Sequence, residues 1–135
     1  MALANAGLGV VHGIAGPFGG MFTSPHGAVC AALLPPGMAV NIRVLRARAP
    51  QSGSLCRYEE VARILTGNAH AAAEEGVEWV SHLCQELVIP PLRAYGIHEQ
   101  DVPVVVEKAS QASSMKGNPI ALTPEELREV LAQAL

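Results

Sequence analysis

The first 42 residues of this 135-residue chain contain no Asp, Glu, Lys or Arg, and the first formal charge is Arg43. A run of this kind suggests a membrane-spanning helix, which needs about 20 mostly apolar residues without strong helix breakers. Glycines and prolines interrupt the run throughout, and residues 1–5 lack the basic side chains that open a secretory signal. We therefore expect a soluble protein in which other protein surface covers this charge-free run.

Length and composition limit the classes of protein that remain. Half of the residues are apolar and 16% are charged, so the chain can bury a core and is not disordered. The length predicts one helical domain over residues 1–135. The net charge of −3 without a basic stripe argues against nucleic-acid binding. We predict a cytoplasmic protein with neither a nucleic-acid nor a membrane partner.

The cysteines give no sign of a metal knuckle or a redox pair. Cys30, Cys56 and Cys84 are separated by wide gaps and form no CxxC motif. An odd number of widely spaced cysteines suits a reducing compartment. We expect all three to be small, buried apolar side chains.

Apolar periodicity and turn residues predict an all-α fold, a helical bundle. The predicted helices cover residues 3–15, 58–65, 70–89, 102–109 and 124–131, and a further helix begins at Ser24-Pro25 and is ended or kinked by Pro35-Pro36. The helix over 70–89 is expected to bury one face, which carries Val77, Val80, Leu83, Cys84 and Leu87.

Several helix ends carry recognisable signals. Thr123-Pro124-Glu125-Glu126 is a capping box with proline at the first helical position. Gly67 is expected to end the helix that contains the Glu59–Arg63 pair. Asp101 is expected to cap the helix over 102–109.

Two histidines, His12 and His26, lie inside the charge-free run. An imidazole in apolar surroundings stays neutral, because burying its charged form is costly, and the neutral ring is the form that binds metals. Taken alone, each histidine fits a core residue or one whose hydrogen bonds the backbone satisfies better than it fits a metal ligand.

The residues around the histidines are more specific. The stretch 5–20, with its repeated glycines around His12, is followed by Thr23-Ser24-Pro25-His26-Gly27, and Leu33-Leu34-Pro35 comes soon after. This pattern resembles the iron-containing (group III) alcohol dehydrogenases of the dehydroquinate synthase-like superfamily. Gly117-Asn118-Pro119 and the segment 122–131 resemble the closing helix of the same family. Dehydroquinate synthases and glycerol dehydrogenases look similar but space these histidines more widely than the 14 residues found here.

The resemblance implies a fold and a chemistry. The chain would be the C-terminal helical domain of such an enzyme, and His12 and His26 would be two of four ligands to Fe²⁺ or Zn²⁺. The other two would be an Asp and a His four residues later, on an earlier helix. In a complete enzyme the metal acts as a Lewis acid on a small alcohol or aldehyde, while a hydride passes to or from NAD(P).

Three departures from the family pattern shape the expectation. The sequence shows no glycine-rich dinucleotide loop, and its single aspartate, Asp101, has no His four residues on. Gly16 stands where the family usually has a second histidine. We therefore assign no catalytic and no cofactor-binding residue. We also predict an isolated chain without dehydrogenase activity, in which the charge-free run has no covering.

Two partners would supply a covering: a complementary nucleotide-binding half or a second copy of this chain. The first alternative predicts dependence on the partner or on metal. The second describes a non-enzymatic helical module that self-associates through its uncovered apolar face. A lyase related to dehydroquinate synthase is a third, weaker alternative, because its histidine spacing is wider.

Overall fold

The computed structural model describes residues 9–135, and within that range the chain folds into α-helices joined by turns, without a strand. The helices are α1 Val10–Met21, α2 His26–Arg48, α3 Gly53–Thr66, α4 Ala73–Glu86, α5 Val102–Gln111 and α6 Pro124–Ala134. Three short 3-10 segments, Leu92–Tyr95, Glu99–Asp101 and Ser113–Gly117, connect the later helices. The predicted all-α class is confirmed. Residues 3–8 of the first predicted helix lie outside the described residues.

The charge-free run is largely covered by the rest of the chain. Ile14, Phe18 and Leu33 are at most 1% exposed, because α5 and α6 close over α1 and α2. Side chains from the later helices complete this core, among them Val105, Val106, Val130 and Leu131. The expectation that the run has no covering is therefore wrong for the described residues. A sequence pattern shows which faces are apolar but not which faces meet.

Helices α3 and α4 form a second, smaller layer against α2. Their crossing is close at Gly76, where an added methyl group would meet the Cα and Cβ atoms of Ala62 at 3.1 Å. The side chains between the three helices form a separate apolar cluster built on Ile42, Leu45, Leu55 and Ala73.

Helix α2 continues through Pro35 and Pro36 to Arg48, so of the two predicted effects of these prolines, an end or a kink, the end is wrong. Each proline lacks an N–H, which frees the carbonyl four residues earlier. The thiol of Cys84 donates to the carbonyl oxygen of Ala31 at 3.5 Å, and so replaces one of the two lost donors. Burial of the second half of α2 between α4 and α6 then favours continuation of the helix.

Helix α4 is shorter than predicted and its apolar face ends earlier. It spans Ala73–Glu86 instead of 70–89, and Leu87 is 63% exposed. Val88 follows with a φ of 54°, a left-handed conformation that turns the chain away from the helix axis. The expected burial of Leu87 is therefore wrong, whereas Val80 is buried as predicted.

The predicted helix ends are mostly confirmed. The Thr123 hydroxyl accepts from the amide of Glu126 at 3.2 Å, and the Glu126 carboxylate accepts from the amide of Thr123 at 2.9 Å. Gly67 ends α3 with a φ of 71°. Asp101 is the exception: its carboxylate accepts from the amide of His98 at 2.9 Å, so its side chain makes no cap on α5.

Three arginines at the end of α2 fasten it to two other helices. Arg43 pairs with Glu129, Arg46 with Glu74 at 2.6 Å, and Arg48 with Glu126 at 2.8 Å. The hydrogen bonds from Arg43 and Arg46 lower the pKa of Glu129 and Glu74 respectively. Since all these pairs are partly exposed, they set the position of α2 more than they add to stability.

By length and composition, α2 is also the one described helix that could cross a membrane, with a mean hydropathy of 1.6 over its most apolar window. That window is 56% buried inside the helical assembly. A core helix of a globular domain passes the same test, so this feature is weak evidence for a membrane span.

A pair of asparagine amides ties the start of α1 to the middle of the chain. Asn118 donates to the side-chain oxygen of Asn41 at 2.8 Å, and Asn41 donates back at 3.1 Å. The same Asn118 oxygen accepts from the amide of Val10 at 3.0 Å, and Asn41 also donates to the hydroxyl of Tyr58. Because Asn41 is only 3% exposed, few water molecules can replace these partners.

Replacing Asn118 with alanine should lower the free energy of unfolding by about 1–3 kcal/mol, because Asn41 and the Val10 amide lose their partners. Urea denaturation followed by circular dichroism measures the change. Asn68→Ala is the matched control: its side chain accepts one exposed backbone N–H at 2.9 Å, so its effect should be smaller. Equal effects of the two substitutions would show that the Asn41–Asn118 pair contributes no more to the free energy of unfolding than one exposed hydrogen bond.

Candidate metal centre

The fold brings together the two histidines singled out by the sequence. His12 lies in the first turn of α1 and His26 is the first residue of α2. Their ring centroids are 5.5 Å apart and the rings are tilted by 49°. The first ring is half-buried and the second is exposed. Whether they bind a metal stays a prediction, but their placement satisfies its geometric requirement.

A cysteine joins the two rings. Cys30 lies one helical turn after His26, and its Sγ is 3.5 Å from Nε2 of His26. One nitrogen of each histidine and this sulfur all lie within 4.8 Å of one another. Partial burial raises the pKa of the Cys30 thiol.

The donors fit the requirements of Fe²⁺ or Zn²⁺. Imidazole suits both metals, and thiolate suits zinc in particular. In a tetrahedral zinc site, bond lengths of about 2.05 Å to nitrogen and about 2.3 Å to sulfur put those ligands about 3.6 Å apart. The Cys30–His26 separation of 3.5 Å already has this value. The widest separation in the group, at most 4.8 Å, closes by rotation of the partly exposed side chains.

A groove of about 360 Å³ opens beside His12. Apolar side chains of Val11, Leu34 and Met38 line it, together with the ring of Tyr58. Gly16 lies in the same helix as His12, and a methyl group added at Gly16 would meet no atom within 4 Å.

Close packing of α1 on α2 fixes the position of His12. A methyl group added at Gly37 would meet Val10 at 3.1 Å and Val11 at 3.3 Å. Glycine at position 37 therefore lets the backbone of α2 approach the two residues that precede His12. This contact positions the first histidine relative to the second.

The sequence reasoning missed Cys30 as a member of the group. We expected three buried cysteines, but Cys56 is exposed and Cys30 and Cys84 are half-buried. The i,i+4 spacing of His26 and Cys30 is the signal that could have identified the pair, because such residues share a helix face. The other described histidines do not join the group, and His82 pairs with Glu86 at 3.3 Å.

Comparison with known proteins identifies the family of this chain. The family model for the C-terminal part of the Fe-containing alcohol dehydrogenase family matches residues 1–135. A lactaldehyde reductase of Escherichia coli K12 is 33% identical over 96% of this chain and 33% of its own length. Alcohol dehydrogenase 4 of Schizosaccharomyces pombe is 34% identical over the whole chain and 30% of its own length.

Solved structures show the same fold. An alcohol dehydrogenase from Oenococcus oeni superposes with a TM-score of 0.84 at 30% identity, over all of this chain and 34% of that protein. A 1,3-propanediol oxidoreductase superposes with a TM-score of 0.80 at 28% identity, over 95% of this chain and 33% of that protein. The chain belongs to the iron-containing alcohol dehydrogenase family and corresponds to its C-terminal helical region. It spans about one third of the length of the relatives it matches.

Replacing Gly37 with alanine should destabilise the chain by about 1–3 kcal/mol relative to Gly19→Ala, because both gain helix propensity but only the methyl group at position 37 meets Val10 and Val11. Thermal and urea denaturation give the change. Gly19→Ala in α1 is the matched control, since its methyl group meets nothing within 4 Å and alanine favours a helix by up to about 1 kcal/mol. Stabilisation by both substitutions would mean that the two helices do not approach closely at Gly37.

Proposed function

We propose that this chain is the metal-holding part of an NAD(P)-dependent alcohol dehydrogenase, in which His12 and His26 bind Fe²⁺ or Zn²⁺. The observation that carries the proposal is the 5.5 Å separation of the two imidazole rings on different helices. Two imidazole rings this close together, one of them beside a groove, are suited to a divalent cation. The membership of the chain in a family named for iron supports the same assignment.

The chain's own residues would do two things in such an enzyme. His12 and His26 hold the cation, which when bound supplies Lewis-acid polarisation of an alcohol or aldehyde oxygen during hydride transfer. The apolar side chains that line part of the groove beside His12 suit a small carbon chain. At Gly16 the chain offers no side chain that can carry a proton.

The remaining parts of the reaction require a further polypeptide region. The relatives are about three times as long as this chain, which supports a complementary region carrying the nicotinamide site and two more ligands. That region would be either continuous with this chain or a separate polypeptide. A cytoplasmic location and a homo-oligomer are parts of the same proposal.

The alternative of a non-enzymatic self-associating module has less support. It depended on an uncovered apolar face in the charge-free run, and α5 and α6 cover most of that face. The large apolar side chains that stay exposed, such as Ile64, Leu87 and Val88, lie mostly outside the charge-free run.

Replacing either His12 or His26 with alanine should weaken Zn²⁺ binding at least about tenfold, because losing even a residue that only hydrogen-bonds a metal ligand typically costs that much. Isothermal titration calorimetry on the purified chain, freed of metal with a chelator, measures the affinity. His82→Ala is the control, as this histidine is exposed and pairs only with Glu86. Zinc binding that is unchanged by both site substitutions would overturn the proposed metal centre.

The purified chain with NAD(P), small alcohols and added Fe²⁺ or Zn²⁺ should show no nicotinamide reduction. Formation of reduced nicotinamide is followed by its absorbance, and a complete dehydrogenase of the family serves as the positive control. Metal-dependent turnover by this chain alone would contradict the proposal that a further region is required.

A further inference from the structure

We propose that Cys30 is a third protein ligand, so that this chain by itself forms a three-donor site made of two imidazoles and one thiolate, with a preference for Zn²⁺ over Fe²⁺. The inference rests on the proposed function, because it takes His12 and His26 as ligands. It goes further by adding a sulfur donor, which changes the strength and the selectivity of the site.

Helix geometry places the sulfur where a ligand is needed. Side chains on an α-helix lean towards its N-terminus, so a residue at i+4 reaches back over residue i. Cys30 occupies that position relative to His26, and its Sγ lies 3.5 Å from Nε2 of the ring. Cys84, the other half-buried cysteine, instead donates to a backbone carbonyl and takes no part in the group.

A negatively charged ligand would also stabilise a cation bound at this position. His26 is the first residue of α2, and the N-terminus of a helix carries a partial positive charge that disfavours a nearby cation. Two neutral imidazoles do nothing to offset that repulsion. A thiolate at Cys30 brings one negative charge to the site, and the candidate group contains no carboxylate that would do so.

In the chain by itself, three donors leave one position of a tetrahedral zinc site open to solvent. Soft thiolate ligands select zinc over harder cations, whereas imidazole discriminates less between zinc and iron. We therefore expect this chain to bind Zn²⁺ more tightly than a site made of the two histidines alone. The chemistry of binding is an exchange: the S–H bond breaks, a sulfur–metal bond forms and the proton goes to the buffer.

The direct test uses Co²⁺ as an optical substitute for Zn²⁺ on the full chain. The wild-type chain should show a thiolate-to-cobalt charge-transfer band in the near ultraviolet, together with visible bands typical of a tetrahedral ion. Cys30→Ser should lose the charge-transfer band and bind Zn²⁺ at least about tenfold more weakly in competition with a chelator. Cys84→Ser, the matched control, should keep both.

A second measurement needs no substitution and so does not depend on variant folding. Zn²⁺ should slow the alkylation of Cys30 by iodoacetamide at least tenfold, as followed by peptide mass spectrometry. Cys56 is exposed and should react at the same rate with and without the metal.

The outcomes separate this inference from the proposed function. Binding of Co²⁺ that depends on His12 and His26 but shows no charge-transfer band and no protection of Cys30 overturns the third ligand and leaves the histidine centre standing. Failure to bind either metal overturns both. Equal affinities for Zn²⁺ and Fe²⁺ in the wild-type chain would overturn the preference for zinc.

Discussion

The close contact of α1 with α2 is the constraint on which the rest of the site depends. Two histidines 14 residues apart, on different helices, can share a cation only if the two helices pack so that both rings lie at the same level. Glycine at position 37 permits this close packing. Asn118, which pairs with Asn41, then holds the first turn of α1 in place by accepting from the amide of Val10. The position of His12 is thus fixed by packing and by hydrogen bonds, without any contribution from formal charge.

Much of the fold was predictable because its signals are local. The capping box at Thr123 and the left-handed glycine at Gly67 act within one turn of the chain, and the structure confirms both. The incorrect predictions have a different cause, because the features concerned depend on more than the local sequence pattern. Continuation of α2 past two prolines depends on a thiol from α4 and on burial by other helices, which no local pattern encodes. The burial of Leu87 failed for a similar reason, since the backbone turns at Val88.

The candidate site also had residues that the sequence identified and one that it did not. Its histidines were recognisable from sequence because Gly and Pro surround them in a specific order, and the membership of the family is confirmed. The cysteine was overlooked because a single thiol carries no motif of its own, although its spacing of four residues from His26 was visible. Which side chains come together depends on how the two helices cross. The structure shows that one ligand atom from each of the three residues lies within 4.8 Å of the others.

The prolines inside α2 have a mechanical consequence. Two successive carbonyls, of Ala31 and Ala32, lose their amide partners at that turn, and a single thiol compensates for one of them. The backbone hydrogen bonding of the helix is therefore weakest midway between His26 and Arg48. The arginine end is held by ion pairs to α4 and α6. If α2 bends when a neighbouring polypeptide packs on its histidine end, we expect the bend at Pro35 and Pro36, because helices kink where proline interrupts the hydrogen-bond ladder.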